Sequence, residues 1–261
     1  MDFNVSAALD VIKKDWVDFD GFLGKPKYVV GISGGVDSSC VASLAVDIFG
    51  KDRVIGVSLP CRGQSDMWAV DRLFEHLGIR RVNVDIGDAF NMLVNGIENN
   101  KLEPTAQCLT NMPARIRMTT LYGIAQCVGG IVLNTCNRSE SVVGNDTLFG
   151  DDCGSYAPIQ ALTKGEVVQL AKYLGVPNEL AEKTPVDGLQ PKTDEERLGV
   201  SYAEIDAAIR GTLPDGDVKD RIFDMYRRNR FKLEMIRIQG PKFPFLNDEF
   251  EKLAAIRKSA S

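Results

Sequence analysis

The sequence predicts an α/β protein built on a doubly wound parallel sheet flanked by helices. Three observations carry that prediction. Short runs rich in β-branched residues alternate with longer amphipathic runs from the N-terminus to about residue 135. Strand–helix alternation makes consecutive strands parallel, and right-handed crossovers then distribute the helices over both faces of the sheet. An apolar fraction of 44% over 261 residues is enough for a substantial core.

The elements follow in order. An N-terminal helix precedes "KYVVGI" (27–32), the first strand. Residues 37–50 form the next helix, and "RVIGVSLP" (53–60) the second strand. "MWAVDRLFEHLG" (67–78) reads as a helix stopped by Gly78, since glycine readily takes the left-handed conformation at a helix end. "RRVNVDI" (80–86) is the third strand, and "DAFNMLVNGIENN" a helix with apolar spacing. "ARIRMTTLYGIAQCVG" (114–129) is a long helix feeding "GIVLNT" (130–135), the fourth strand. Residues 136–160 are polar and poorly periodic, and an irregular segment of that length is usually functional. Helices are predicted at 163–174, 201–210 and 216–237, with a second irregular segment at 183–199. No repeat, low-complexity tract or linker interrupts the chain, so one domain over residues 1–261 is expected.

Composition excludes several classes. A net charge of −5 offers no general attraction to nucleic acid, and "YRRNRFK" (226–232) reads as a solvated helix face. There is no run of about 18 apolar residues to span a membrane. The N-terminus lacks the basic-then-apolar order of a secretory signal, so a cytoplasmic location is expected. The six cysteines include no C-x-x-C pair and the single histidine, His76, stands apart, so they read as reduced, buried thiols rather than zinc ligands. His76 itself reads as a packing or surface residue.

The most informative stretch is "GISGGVDSSC" (31–40), where the first strand meets its helix. A glycine-rich turn in that place holds phosphate well: backbone N–H groups point outward, the helix dipole favours negative charge, and glycine allows close approach. Neither G-x-x-x-x-G-K-[ST] nor G-x-G-x-x-G is present. Instead Ser33, Ser38 and Ser39 surround Gly34 and Gly35, and Asp37 adds a carboxylate that repels phosphate unless a cation stands between them. That combination predicts a magnesium-bound polyphosphate. An ordinary N-cap accounts for one serine or aspartate, not for glycine, serine or aspartate at six of the seven positions 33–39.

"SGGVDSS" resembles the S-G-G-x-D-S-[ST] loop of the PP-loop ATP pyrophosphatases, which cleave ATP between its α- and β-phosphates and adenylylate an oxygen of the acceptor. Four further blocks, "PARIRMTTLYGIAQ" (113–126), "VLNTCNRSE" (132–140), "FGDDCGSYAPIQALTKGEVVQLAKYLGVP" (149–177) and "KTPVDGLQPKTDEERLGVSYAEID" (183–206), resemble the NAD synthetase family in order and spacing. The resemblance implies an adenine nucleotide alpha hydrolase-like, Rossmann-like fold. It also implies amidation of deamido-NAD to NAD through an acyl-adenylate, with ammonia as nitrogen donor and AMP and pyrophosphate as products.

By the same resemblance, Asp37 and Glu140 are the magnesium ligands, and Asp37 and Lys164 the catalytic residues. ATP falls to Gly31, Ser33, Gly34, Gly35, Asp37, Ser38, Ser39, Leu59, Gln64, Thr135 and Lys164, and deamido-NAD to Arg117, Asp151 and Lys232. A homodimer is implied, because the family builds its dinucleotide site at a dimer interface. Glutamine-using versions carry a separate amidase domain for which 261 residues leave no room. Free ammonia, or ammonia handed over by a separate glutaminase, is therefore implied. Three departures fall on the acceptor side: Leu148 replaces a lysine, Val186 a hydroxyl residue and Phe231 a histidine. Activation chemistry is thus better supported than the acceptor. A related PP-loop ligase adenylylating a different carboxylate, and a non-catalytic nucleotide-binding paralogue, are the alternatives.

Overall fold

In the computed structural model, which describes residues 3–61, 67–183 and 193–234, four parallel strands form one sheet in the order β3-β2-β1-β4. The strands are β1 (Lys27–Gly31), β2 (Val54–Ser58), β3 (Arg80–Asn83) and β4 (Gly130–Val132). Tyr28 pairs with Val54 across β1 and β2, and with Ile131 across β1 and β4.

Alternation along the strands divides two cores. Tyr28, Val30 and Val54 face one side, packing with α1 (Val5–Phe22), α2 (Val36–Phe49), α3 (Met67–Leu77), α7 (Lys164–Tyr173) and the short α8 (Asn178–Ala181). Val29, Ile55, Val57 and Val132 face the other, against α4 (Gly87–Asn99) and α5 (Ala106–Val128). Helices on both faces make the sheet doubly wound, as predicted, and explain why β2 is buried at every position. A third cluster, with Val142, Ile205 and Ile222 at its centre, joins α6 (Arg138–Val143), α10 (Tyr202–Ile209) and α11 (Asp217–Glu234).

Gly56 is required by packing. A Cβ there meets Phe74 Cε1 at 2.5 Å and Cζ at 2.7 Å. Gly56→Val is expected to cost about 1–3 kcal/mol through overpacking. A drop in the urea midpoint measures it, and an unchanged midpoint refutes it.

Three kinds of difference from expectation appear. All four strands end short of their predicted carboxyl limits, and residues following β1, β2 and β4 line a cavity instead. Helix α5 starts at Ala106 rather than 114. Thr105 caps it by accepting from Cys108 N at 3.2 Å, and the helix runs through Pro113, a residue usually read as a start. The segments expected to be irregular also contain helices. Within 136–160 lies α6, and within 183–199 lies α9 (Asp194–Leu198), each begun by a capping box.

Among the described residues no helix is long and apolar enough to cross a membrane. All six cysteines are free; Cys40, Cys61 and Cys136 are buried as expected, whereas Cys127 is exposed. His76 lies exposed on α3.

Candidate functional site

Chain order runs from β1 outward through β2 to β3, then returns to place β4 on the other side of β1. The loops leaving β1 and β4 therefore diverge, which is where open α/β sheets hold ligands. A cavity of about 750 Å³ opens at these carboxyl ends. Gly31, Ser33, Leu59 and Thr135 line its sheet side, and Glu140 reaches it from α6.

The β1–α2 loop takes its shape from its glycines. Gly34 has φ +81°, and a Cβ on it comes within 3.1 Å of Ala69 Cβ on α3. Gly35 is the N-cap of α2 and contributes no side-chain cap, so the first-turn amides of α2 are left to other acceptors. Ser38 and Ser39 are buried, and both hydroxyls donate to Gly35 O, at 3.1 and 2.8 Å. Ser38 Oγ also lies 3.1 Å from Ser33 Oγ. As placed, Ser38 and Ser39 brace the loop, while Ser33 faces the cavity.

The charged centre assembles from three distant segments. Asp37 lies in the first turn of α2. Glu140 is the third residue of α6; Asn137 Oδ1 accepts from Glu140 N at 3.0 Å, and Asn137 N donates back to Glu140 Oε2 at 3.3 Å. Lys164 opens α7 and is only 6% exposed. Its ammonium donates to Asp37 Oδ2 at 2.5 Å and Glu140 Oε1 at 3.1 Å, over the Tyr202 ring with 5.0 Å to the centroid. Asn137 Nδ2 donates to Asp37 Oδ1 at 2.8 Å.

Burial, joined by the Asp37 charge, pushes the Glu140 carboxyl above the ordinary range even against Lys164. Burial lowers Lys164, but the facing carboxylates outweigh it and hold the ammonium well above the usual lysine value. Two hard carboxylates crowded beside one ammonium favour a further cation, which would relieve the rise at Glu140. That donor set fits Mg²⁺ shared with phosphate oxygens and water; among the described residues no cluster of three or more acidic, cysteine or histidine side chains forms a complete cage.

The residues expected at the acceptor line the far wall. Arg117 Nε donates to Leu59 O at 3.0 Å, fixing the α5 side chain over the end of β2. Asp151 is held by Thr147 N, which donates to Oδ1 at 2.9 Å. Lys232 reaches the cavity wall but donates to Gly144 O, Asp146 O and Asp146 Oδ1, at 2.9, 2.6 and 3.0 Å. Leu148 and Phe231 line the same wall. Gln64 and Val186 lie outside the described residues.

Sequence reasoning missed Asn137, Tyr202 and Asp206. The first had a signal, because "NRSE" is itself a capping box. The other two lie on α10 and have no local signature.

The sequence profile described as NAD synthase matches residues 10–236. The NH(3)-dependent NAD(+) synthetase of Pyrococcus furiosus is 38% identical over 191 residues, 73% of this chain and 73% of that protein. Among solved structures, NMN synthetase from Francisella tularensis aligns with a TM-score of 0.82 at 31% identity, covering 93% of this chain and 100% of the other. NAD+ synthetase from Burkholderia pseudomallei aligns with a TM-score of 0.74 at 27% identity, covering 90% and 91%. The profile spans all five blocks that carry the resemblance: this chain belongs to the NAD synthase family.

Proposed function

We propose that this protein is a ligase that forms a C–N bond, converting deamido-NAD and ammonia to NAD at the expense of ATP. The observation that carries this reading is the convergence of Asp37, Glu140 and Lys164 beside the β1–α2 loop. A carboxylate is a poor electrophile, so its oxygen first displaces pyrophosphate from the α-phosphorus of ATP. Ammonia then adds to the acyl carbon of the acyl-adenylate, AMP leaves, and the nitrogen loses a proton.

Negative charge grows on phosphate in the first step, so fixed cations and N–H donors supply most of the acceleration. The first-turn amides of α2 and the Ser33 hydroxyl bind the leaving pyrophosphate, and the Lys164 ammonium neutralises it. Gly31, Leu59 and Thr135 shape the ATP side of the cavity. Asp37 and Glu140 would hold Mg²⁺, which when bound neutralises phosphate charge. Arg117 suits the acceptor's phosphate through its planar fork of donors, with Asp151 beside it.

A second acceptor, the mononucleotide deamido-NMN, is favoured by two observations. The NMN synthetase fold match has the higher TM-score, 0.82 against 0.74. Leu148 and Phe231 line the acceptor wall, and the Lys232 ammonium is engaged by the Gly144–Asp146 turn.

Incubation with ATP, Mg²⁺ and ammonium, with each acceptor in turn, tests both readings by following amidated nucleotide and pyrophosphate. Turnover of deamido-NAD supports the first, and a strong preference for the mononucleotide the second. ATP binding without turnover of either acceptor refutes both. The profile match over 10–236 supports one domain across that span. Met92, Leu93, Leu109 and Tyr122, exposed on α4 and α5, support a homodimer, since a second copy would cover them.

A further inference from the structure

We infer that Asp206 is a positioning residue for the activation step, holding Lys164 and Glu140 in the register that lets them converge. The inference rests on the proposed roles of those two residues. Asp206 lies on α10, away from the cavity lining, yet its carboxylate joins the two helices that carry them. Ser139 Oγ donates to Asp206 Oδ1 at 2.5 Å, and Gly165 N donates to Asp206 Oδ2 at 2.7 Å. The ring closes when Lys164 N donates to Ser139 Oγ at 3.0 Å. Ser139 is the neighbour of Glu140, and Gly165 the neighbour of Lys164.

One carboxylate therefore fixes the backbone on both sides of the 3.1 Å contact between Lys164 Nζ and Glu140 Oε1. The glycine at 165 belongs to the same device. A Cβ there would lie 2.9 Å from Asp206 Oδ2, so any larger residue pushes the carboxylate off the helix end. The arrangement also assigns the helix ends. The first amides of α7 are taken by Ser139 and Asp206, and its N-cap Thr163 forms a capping box with Glu166. Phosphate is left to the uncapped end of α2.

The test compares wild type with Asp206→Ala, Asp206→Asn, Ser139→Ala and the Asp206→Ala/Ser139→Ala double variant. Each is checked by thermal unfolding, steady-state kinetics and calorimetric titration with Mg·ATP. A folded Asp206→Ala protein is expected to lose about 100-fold in kcat, since a displacement of an ångström remote from the chemistry costs that much. Its KM for the acceptor stays within about twofold, because the acceptor wall is not tied to α10 through this carboxylate. The double variant loses no more than Asp206→Ala alone, because the two side chains form one network. Asp206→Asn, which keeps the shape and one acceptor oxygen, recovers most of the rate.

A folded Asp206→Ala protein with wild-type kcat, or losses that multiply in the double variant, overturns the inference. If Asp206→Ala does not fold, Asp206→Asn and Ser139→Ala decide: a kcat loss in Ser139→Ala that exceeds that in Asp206→Asn supports it, and full activity in both overturns it. If wild type amidates no nicotinate nucleotide, the functional reading fails separately, and Mg·ATP affinity becomes the readout. A roughly tenfold weaker affinity in Asp206→Ala then supports positioning, and an unchanged affinity overturns it.

Discussion

Asp37→Ala is expected to abolish turnover, with kcat falling at least about 1000-fold, because removing one preorganised group from developing phosphate charge costs two to three orders of magnitude and Asp37 serves twice. Its Oδ2 faces the Lys164 ammonium and its Oδ1 accepts from Asn137 Nδ2. In the proposed reaction it is also one of only two carboxylates that would hold the metal. The fold should tolerate the change. Lys164 keeps Glu140 as counterion, and the main cost is the lost acceptor for Asn137, about 1 kcal/mol. The expected signature is lost turnover with a small change in melting temperature. Near-normal activity in this variant would overturn the assignment of the β1–α2 loop.

Lys164→Met is the second large effect, and it separates from the first by its stability signature. The rate should fall about 1000-fold, since in the proposed reaction the fixed cation that neutralises the pyrophosphate is gone. The fold should also suffer. Asp37 and Glu140 then face each other without a counterion, and breaking a buried pair costs about 3–5 kcal/mol. Burial and Asp37 already raise the Glu140 carboxyl from 4.5 to about 8 with the lysine present. Without it the carboxyl is pushed further in the same direction. A folded-state value above the unfolded one means the folded chain holds its proton more tightly. The Glu140 contribution to the variant's stability is therefore fully present below about pH 4.5 and is lost as pH rises through the folded-state value. Thermal unfolding from pH 5 to pH 9 reads this out. A variant whose melting temperature is flat or rises with pH would show that the two carboxylates are not coupled.

Much of the fold is legible in the amino-acid order. The four strands, their parallel direction, the helices on both faces and the loop at 33–39 are recognisable from short-range patterns. The helices α6 and α9 are legible in principle, because "NRSE" and "TDEE" are capping boxes, but glycines and polar residues around them mask the signal. The orientation of Ser38 and Ser39 is not legible. A serine at the start of a helix serves equally well for ligand or loop, and only the position of Gly35 O shows both hydroxyls turned inward.

The chain's own order settles what a few neighbouring residues dictate: a strand handing over to a glycine turn, a helix begun by a glycine without a side-chain cap, and the small polar and acidic residue types gathered there. The meeting of those residues belongs to the three-dimensional packing. Asp37 and Lys164 are 127 positions apart, and Ser139 and Asp206 are 67 apart. Their distances follow from the order β3-β2-β1-β4, which sets the ends of β1 and β4 side by side, and from α10 closing behind α6 and α7. Hydrogen bonds and turns act over a few residues and leave local marks in the chain. Packing acts across the whole molecule, and the contacts it creates exist only once the sheet has assembled.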